Sequence, residues 1–375
     1  MYEVVFKLVV FKLTGCSSGS PRNMLANMLL MAALLAPAPA VKDQTPERIQ
    51  LRLVTDEAEA VLAILDKRSA GLQVLDDDWL VVFKSEGYRR LKKREESMQR
   101  PFEDAAFKAF VLSPELLTRA AALRQTLEKW KRADMNGPGR RALAYLPETA
   151  YIHAAIYPVI KPQTNSFVFE VNTDPAIFLY LDPEISREKF ENTVAHELHH
   201  IGYGTACPPA AIAARIAQQP ARVQQLANWI GAFGEGFAML AAAGGPDVHP
   251  HAVSKQEDRE RWDHDVADFR KNRQELDGFF RKILDGTLTE DQVNKQAFTY
   301  FGVQGPWYTV GWEMAVTIEK SYGRGRLIET MCRTPALLST YNAAAIEASK
   351  TDKTGEKAPV LWSPEIIKAL EPLAK

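Results

Sequence analysis

The sequence is poor in cysteine and has no excess of charge of either sign. Three cysteines, Cys16, Cys207 and Cys332, are spread over 375 residues, which excludes a disulfide-framework protein and leaves no Cys-x-x-Cys pair for a zinc ribbon or redox centre. The 46 lysines and arginines are balanced by 47 aspartates and glutamates. We therefore expect no nucleic-acid partner, because such proteins carry a basic surface. Any metal ion must be bound mainly by histidine and carboxylate groups.

Long apolar runs are also missing. The run from Leu25 to Leu35 is shorter than the ~20 residues that a membrane helix needs. It follows Arg22 and is succeeded by alternating alanine and proline up to Ala40, and this order is typical of a secretory signal cut near Ala40. We expect residues 1–40 to be a signal peptide or N-terminal extension.

This interpretation places the protein outside the cytosol. We expect it to be exported to the periplasm or the extracellular space, with no stable transmembrane segment after signal removal. A lipoprotein anchor at Cys16 is a less favoured alternative, because Lys12 interrupts the apolar stretch before it. Cys207 and Cys332 can form one disulfide in an oxidising compartment.

The chain as a whole has ordinary globular composition, with 46% hydrophobic residues. From Thr45 to about Trp130 apolar residues recur near helical spacing, beginning with Leu51 and Leu53, which predicts a helical N-terminal region over residues 41–148. Helices are expected to begin at Asp76, Pro101 and Pro114 within that region.

After that region the pattern changes from helical to β-like. The segment Asn136-Gly137-Pro138-Gly139 predicts a break, and three short β-like runs follow it at Tyr151–Ile160, Ser166–Val171 and Ala176–Leu181. We predict a predominantly helical α+β fold, in which a small sheet lies between helical N- and C-terminal parts and residues 149–375 form the catalytic region.

The helix after the last predicted strand carries the clearest chemical motif. Ser186 is a suitable N-cap, and the helix is expected to end at Gly202 or Gly204. His196, Glu197 and His200 on it form the pattern His-Glu-x-x-His. Residues four apart share one helix face, so the two imidazoles can bind one Zn²⁺ while Glu197 serves as general base toward a water molecule.

The alternative interpretation of the motif is a surface histidine cluster without metal. The uncharged residues around the motif favour the metal site, because they indicate a buried helix. His199 lies beside the motif, but the role of Glu197 requires the pair four residues apart. We expect His199 to support a ligand or to pack nearby.

A zinc hydrolase site needs a third protein ligand. Glu235 is the best candidate, because it is the only charge in the apolar stretch from Asn228 to Leu240 and a lone buried carboxylate is costly without a cation. Gly234 and Gly236 beside it allow close helix approach. An Arg or Lys partner from elsewhere is the competing explanation of Glu235.

Two further groups complete the candidate site. His249 and His251, in a loop rich in glycine, proline and histidine over residues 244–251, are the fallback ligands. Tyr308, in the sequence Gly-Pro-Trp-Tyr-Thr-Val-Gly-Trp that opens a helix, can offer its hydroxyl to the oxyanion of the reaction. Its aromatic neighbours can equally be core residues.

These motifs resemble those of the gluzincin zinc metallopeptidases, and the Gly-Pro-Trp-Tyr-Thr-Val-Gly-Trp element is similar to that of an uncharacterised bacterial group of zinc-dependent peptidases. The resemblance covers about Tyr151 to the C-terminus. It implies His196, His200 and Glu235 as zinc ligands, Glu197 as general base and Tyr308 as transition-state donor. One departure is Met239, which stands where thermolysin-like enzymes have an aspartate that orients a ligand.

The sequence thus predicts an exported zinc-dependent hydrolase, specifically a metallopeptidase acting on peptide or protein substrates. The alternatives are an inactive metal-binding or scaffold protein of the cell envelope, and a zinc enzyme that cleaves another amide or an ester.

Overall fold

The computed structural model describes residues 47–374 except 208 and 352–358. The predicted signal peptide and the alternative anchor at Cys16 lie outside these residues. The strands are β1 (Ile49–Leu53), β2 (Ile152–Val159), β3 (Phe167–Phe169) and β4 (Ala176–Tyr180). The α-helices are α1 (Asp56–Ser69), α2 (Asp76–Lys84), α3 (Glu86–Ser97), α4 (Asp104–Val111), α5 (Pro114–Lys131), α6 (Asn136–Leu143), α7 (Arg187–Ala206), α8 (Pro209–Ala217), α9 (Ala221–Ile230), α10 (Gly234–Ala243), α11 (Gln256–Ala267), α12 (Phe269–Asp285), α13 (Glu290–Thr299), α14 (Pro306–Tyr322), α15 (Arg324–Met331), α16 (Leu337–Thr351) and α17 (Pro364–Ala374). Short 3₁₀ turns lie at Gly231–Phe233 and Thr334–Ala336.

The four strands form one mixed sheet in the order β1-β2-β4-β3. β1 pairs parallel with β2, β2 pairs parallel with β4, and β3 runs antiparallel along the outer edge of β4. Helices make up most of the described chain, so the predicted α+β, predominantly helical class is confirmed. The three runs predicted as strands after residue 150 are also confirmed.

The strand β1 corrects the sequence-based prediction of a helix at Leu51 and Leu53. Ile49, Leu51 and Leu53 are partly buried while the residues between them are exposed, which is the two-residue period of a strand. The segment forms a strand because its partner β2 lies far along the chain, with Ile49 opposite Ile152. A second start site also differs, since the helix expected from Pro101 begins at Asp104.

The sequence predicted a break at Asn136-Gly137-Pro138-Gly139, and this prediction is wrong. The segment forms the first turn of α6. Proline is tolerated there because the first backbone N–H groups of a helix have no partner within the helix. The helix then buries Ala142 and packs against α7. The glycines and the proline therefore start a helix here.

Helices cover both faces of the sheet. On one face, Leu91 of α3 packs with Tyr157 and Phe178. On the other, Val61 of α1 and Val194 of α7 pack in the same core as Ile156, whose side chain alternates with that of Tyr157 across the strand. From Arg48 onward the described residues belong to one compact unit, and the boundary predicted near residue 148 stays a prediction.

The helix α7 continues beyond its predicted end at Gly202 or Gly204 to Ala206. Gly202 does not end it, because this residue packs where a Cβ would lie 2.5 Å from Leu146 Cδ1. Cys207 follows directly and is disulfide-bonded to Cys332, with 4.9 Å between their Cα atoms. Tyr203 adds a hydrogen bond to the Met331 carbonyl, 2.7 Å long.

The C-terminal helices surround a second core centred on α10 and α14. Phe233, Trp307 and Trp362 are fully buried in it. α7 packs against β2 on one side and against α10 on the other, so it stands between the sheet and this helical core. Among the helices of the described residues, none has the length and apolarity needed to cross a membrane.

Candidate metal centre

The N-terminal cap of α7 sets the position of the His-Glu-x-x-His motif. The Ser186 hydroxyl accepts a hydrogen bond from the Lys189 backbone N–H, 3.1 Å long, so the predicted N-cap is confirmed. The helix is regular from there through His196 and His200, which places these side chains one turn apart on one face.

The three predicted metal ligands meet at one point. His196 Nε2 lies 3.1 Å from Glu235 Oε2 and 3.1 Å from His200 Nε2, and His200 Nε2 lies 3.4 Å from the same carboxylate oxygen. Ligand atoms bound to one tetrahedral zinc ion lie roughly 3.4 Å apart, because zinc bonds to nitrogen and oxygen are about 2.1 Å long. The two imidazoles and the carboxylate therefore fit a zinc ion in spacing and in chemistry.

Glu235 comes to this point on α10, which carries no other charged side chain. Its side chain is only 3% exposed. Burial raises the pKa of the Glu235 carboxyl, but His200 and His196 beside it have the larger combined effect and hold that pKa well below its usual range. The carboxylate is thus available as an anionic ligand, and the histidines take the place of the Arg or Lys partner considered from the sequence.

Close contact between α10 and α14 brings Glu235 and Tyr308 together. A Cβ on Gly236 would clash with the Trp312 backbone nitrogen, and one on Gly311 would lie 2.7 Å from the Phe233 carbonyl oxygen. Gly236 therefore has the role expected for it, whereas Gly234 has open space around its Cα and does not. Gly311, the glycine that faces α10 from α14, was not identified from the sequence. Its position three residues after Tyr308 could have indicated that α14 is closely packed there.

Glu197 is buried beside the cluster without joining it. Its Oε2 atom has no hydrogen-bond partner among the residues that the structure describes. Burial raises the pKa of the Glu197 carboxyl, and the Glu235 charge acts in the same direction, while His196 and His200 partly oppose them. A carboxyl group with a raised pKa next to a metal site is suited to accept a proton and to return it.

The candidate ligand His196 is oriented on its Nδ1 side by packing alone, as far as the described residues show. Its Nδ1 atom is buried and, within the described part of the chain, has no hydrogen-bond acceptor. Metal-binding histidines usually donate this N–H to a carboxylate or carbonyl group, and Met239 cannot replace the aspartate of thermolysin-like enzymes. The ring is held by packing, with the Tyr308 ring stacked at 6.3 Å between centroids.

Tyr308 reaches the site from the first turn of α14. Its side chain is nearly fully buried. Burial raises the pKa of the Tyr308 hydroxyl well above its usual value, and the charges of Glu235 and Glu197, with a hydrogen bond to Glu235, add to that effect. The hydroxyl therefore stays protonated and can act as a donor.

The other candidate histidines lie apart from the cluster. His199 packs edge-on against Phe237 at 4.6 Å, and burial lowers its pKa well below the usual value, so it is a packed neutral ring. His249 Nε2 lies 2.8 Å from Asp263 Oδ1. His251 Nδ1 lies 3.0 Å from the Ser254 hydroxyl. Neither fallback ligand is part of the metal-type cluster found among the described residues.

Comparison with known proteins gives a single finding. Residues 52–350 match the model of the family described as "Putative zinc dependent peptidase (DUF5700)". This match spans well over half of the chain and includes every residue of the candidate centre. No curated protein and no solved structure matches the chain.

Proposed function

The chain belongs to the family whose description was just quoted, and on that basis we propose that it is a zinc metallopeptidase. His196, His200 and Glu235 would hold the ion, Glu197 would be the general base, and Tyr308 would stabilise the transition state. The observation that carries the proposal is the convergence of three ligand atoms within 3.1 to 3.4 Å of one another next to a buried carboxyl group that is not a ligand.

Zinc at such a site supplies Lewis acidity, which acidifies water and polarises a carbonyl group. The protein supplies the proton transfers. Glu197 would accept a proton from the attacking water and deliver it to the nitrogen of the departing amine, for which its raised pKa is suited. The neutral Tyr308 hydroxyl would donate a hydrogen bond to the carbonyl oxygen as negative charge develops there.

The variant Glu197→Gln tests the assignment of the base. We expect zinc content equal to wild type and loss of peptide hydrolysis, because the amide keeps the shape of the side chain but cannot take a proton. Zinc is measured by elemental analysis and hydrolysis on a peptide library. Glu188→Gln, an exposed site on the same helix, is the matched control, and hydrolysis by Glu197→Gln at the wild-type rate would remove the base from the proposal.

A second candidate function is metal binding without turnover, as in an envelope scaffold protein. The small exposure of the ligand side chains favours it, since His196 is 9% and His200 10% exposed. A zinc-loaded wild-type protein that cleaves no peptide, other amide or ester would support this candidate over the peptidase.

We further propose that the protein works outside the cytosol. The disulfide between Cys207 and Cys332 supports this, because such bonds persist in oxidising compartments. Mass spectrometry of the protein recovered from the periplasm or medium, with a new N-terminus near Val41, is the expected result. Recovery of the uncleaved chain from the cytosol would contradict it.

A further inference from the structure

An uncharged stretch of the chain leads up to Tyr308 of the candidate site. The seventeen residues from 296 to 312 contain no charged side chain or histidine, although a quarter of the whole chain is charged. Within this stretch Phe298 is 53% and Val303 43% exposed to solvent. Exposed apolar groups that lie together commonly mark binding surfaces. Phe298, Phe301 and Val303 are called the apolar surface below.

The apolar surface is continuous with the candidate site through ring contacts. The Phe298 ring lies 6.1 Å from that of Phe301, and the Phe301 ring meets that of Tyr308 edge-on at 6.5 Å. Tyr308 in turn stacks on the ligand His196 at 6.3 Å. Three ring contacts therefore lead from solvent to a proposed zinc ligand.

Phe298 lies near the end of α13, and the loop after it, which carries Phe301 and Val303, contacts α10. A hydrogen bond of 2.7 Å runs from the Gly305 N–H to the Phe301 carbonyl, and Gly302 and Gln304 take the left-handed backbone region. The Gln304 amide lies 4.0 Å from Met239 Sδ, one turn beyond Glu235 on α10. Phe298 is supported from beneath by Trp229 at 5.7 Å. The surface is thus preorganised.

We propose that the apolar surface selects peptide substrates with a large apolar side chain near the cleaved bond. This inference rests on the proposed peptidase function. An apolar side chain gains free energy by leaving water at Phe298, Phe301 and Val303. A charged side chain has no such gain, because moving it from water onto an apolar surface is unfavourable.

The test compares substrate preference in two matched double variants of the zinc-loaded full chain. In Phe298→Ser/Val303→Ser the apolar surface is lost, and in Leu80→Ser/Val81→Ser two similarly exposed residues of α2 are changed instead. Cleavage sites of the wild type in a peptide library identify an apolar substrate, and a serine-substituted version of it is the comparison. We expect the first variant to lower kcat/KM for the apolar substrate about tenfold through KM, because the contact is made equally in ground and transition states.

The outcomes separate the inference from the function on which it rests. Unchanged preference in Phe298→Ser/Val303→Ser, or wild-type preference for charged side chains, overturns the apolar surface and leaves the peptidase intact. Failure of the zinc-loaded wild type to cleave any peptide overturns both. Equal zinc content and thermal midpoint in the variants show that a loss comes from binding, and the α2 variant should retain the wild-type preference.

Discussion

At the scale of single residues, the proposed metal centre depends on one carboxylate brought from a distant helix. Glu235 is 35 residues beyond His200 in the sequence, and its side chain is almost completely buried. Removing it leaves two imidazoles to bind the ion, which is fewer than the three protein ligands of catalytic zinc sites.

We therefore expect Glu235→Ala to lower zinc content sharply. Elemental analysis after dialysis against a defined free-zinc concentration measures it, and the exposed Glu257→Ala serves as control. Unchanged stoichiometry in Glu235→Ala would show that this carboxylate is not a metal ligand.

Two buried ionisable residues, Glu57 and Lys161, lie away from the residues of the candidate site. Glu57 Oε2 accepts a 3.0 Å hydrogen bond from the Ile160 N–H, while Oε1 has no partner in the described part of the protein. The Lys161 ammonium donates to the Gln163 carbonyl and the Asn165 side-chain oxygen. Burial raises the pKa of Glu57 to about 8 and lowers that of Lys161 to about 8.

The raised pKa of Glu57 gives folding a pH dependence with a definite sign. The folded state holds the proton more tightly than the unfolded state, so the stabilising contribution is full below the unfolded pKa of 4.5 and is lost as the pH rises through about 8. Glu57→Gln should reduce the difference in unfolding free energy between pH 5 and pH 8 by about 3 kcal/mol. Urea unfolding at both pH values measures it, with exposed Glu128→Gln as control. An unchanged difference would show that Glu57 does not titrate in this range.

At the scale of helices and strands, local sequence patterns were sufficient to predict an element where its conformation depends on contacts within that element. The N-cap at Ser186 and the His-Glu-x-x-His spacing identify α7 because both act within one helix. The strand β1 was missed because pairing with β2 decides the conformation of Leu51, and that partner is a hundred residues away. In the same way α6 depends on packing against α7, which outweighs the turn preference of Gly137 and Pro138.

The same limit applies to the candidate site. A lone charge in an apolar helix marks Glu235 as a candidate ligand, and the structure brings it to His196 and His200. Gly311 and Phe298 could not be placed, because their roles arise only when α10, α14 and the loop between α13 and α14 are in contact. Local sequence does not indicate which distant segments come into contact.

The close contact between α10 and α14 predicts that a side chain at Gly236 destabilises the protein. Gly236→Ala places a methyl group against the backbone of Trp312, so the helices must separate, and we expect a loss of about 3 kcal/mol or more in unfolding free energy. Bound zinc should fall as well, since Glu235 precedes this residue. Thermal unfolding and elemental analysis measure both effects.

Gly278→Ala on α12 is the control for that variant. A Cβ there meets no atom within 4 Å, so alanine should be neutral or stabilising by up to about 1 kcal/mol. Equal behaviour of the two variants would mean that the helices need no close contact at Gly236.

At the scale of the whole molecule, the disulfide closes a large part of the chain into one loop. Cys207 and Cys332 are 125 residues apart, and the loop contains Glu235 and Tyr308. The bond thus joins the end of α7 to the end of α15, and the helices that carry Glu235 and Tyr308 lie within the closed loop. Crosslinking a loop of this length restricts the unfolded chain strongly.

Replacing both cysteines by alanine should lower the unfolding free energy by about 4 kcal/mol. Folded protein should still bind zinc, because neither cysteine is a ligand. Urea unfolding of oxidised wild type, reduced wild type and the double variant measures the effect, and the last two should agree. Equal stability of all three would show that the crosslink adds nothing to the fold.

The distance along the chain between β1 and β2 also determines when these two strands can pair during synthesis. Ile49 and its partner Ile152 are 103 residues apart, and ribosomes add about 5–20 residues per second. The first strand therefore leaves the ribosome roughly 5–20 s before its neighbour exists. During that interval helices α1 to α6 can form. The backbone N–H and C=O groups along the edge of β1 that later pairs with β2 have no strand partner during this time. The pairing of β1 with β2 therefore cannot begin until about the first 150 residues of the chain have been synthesised.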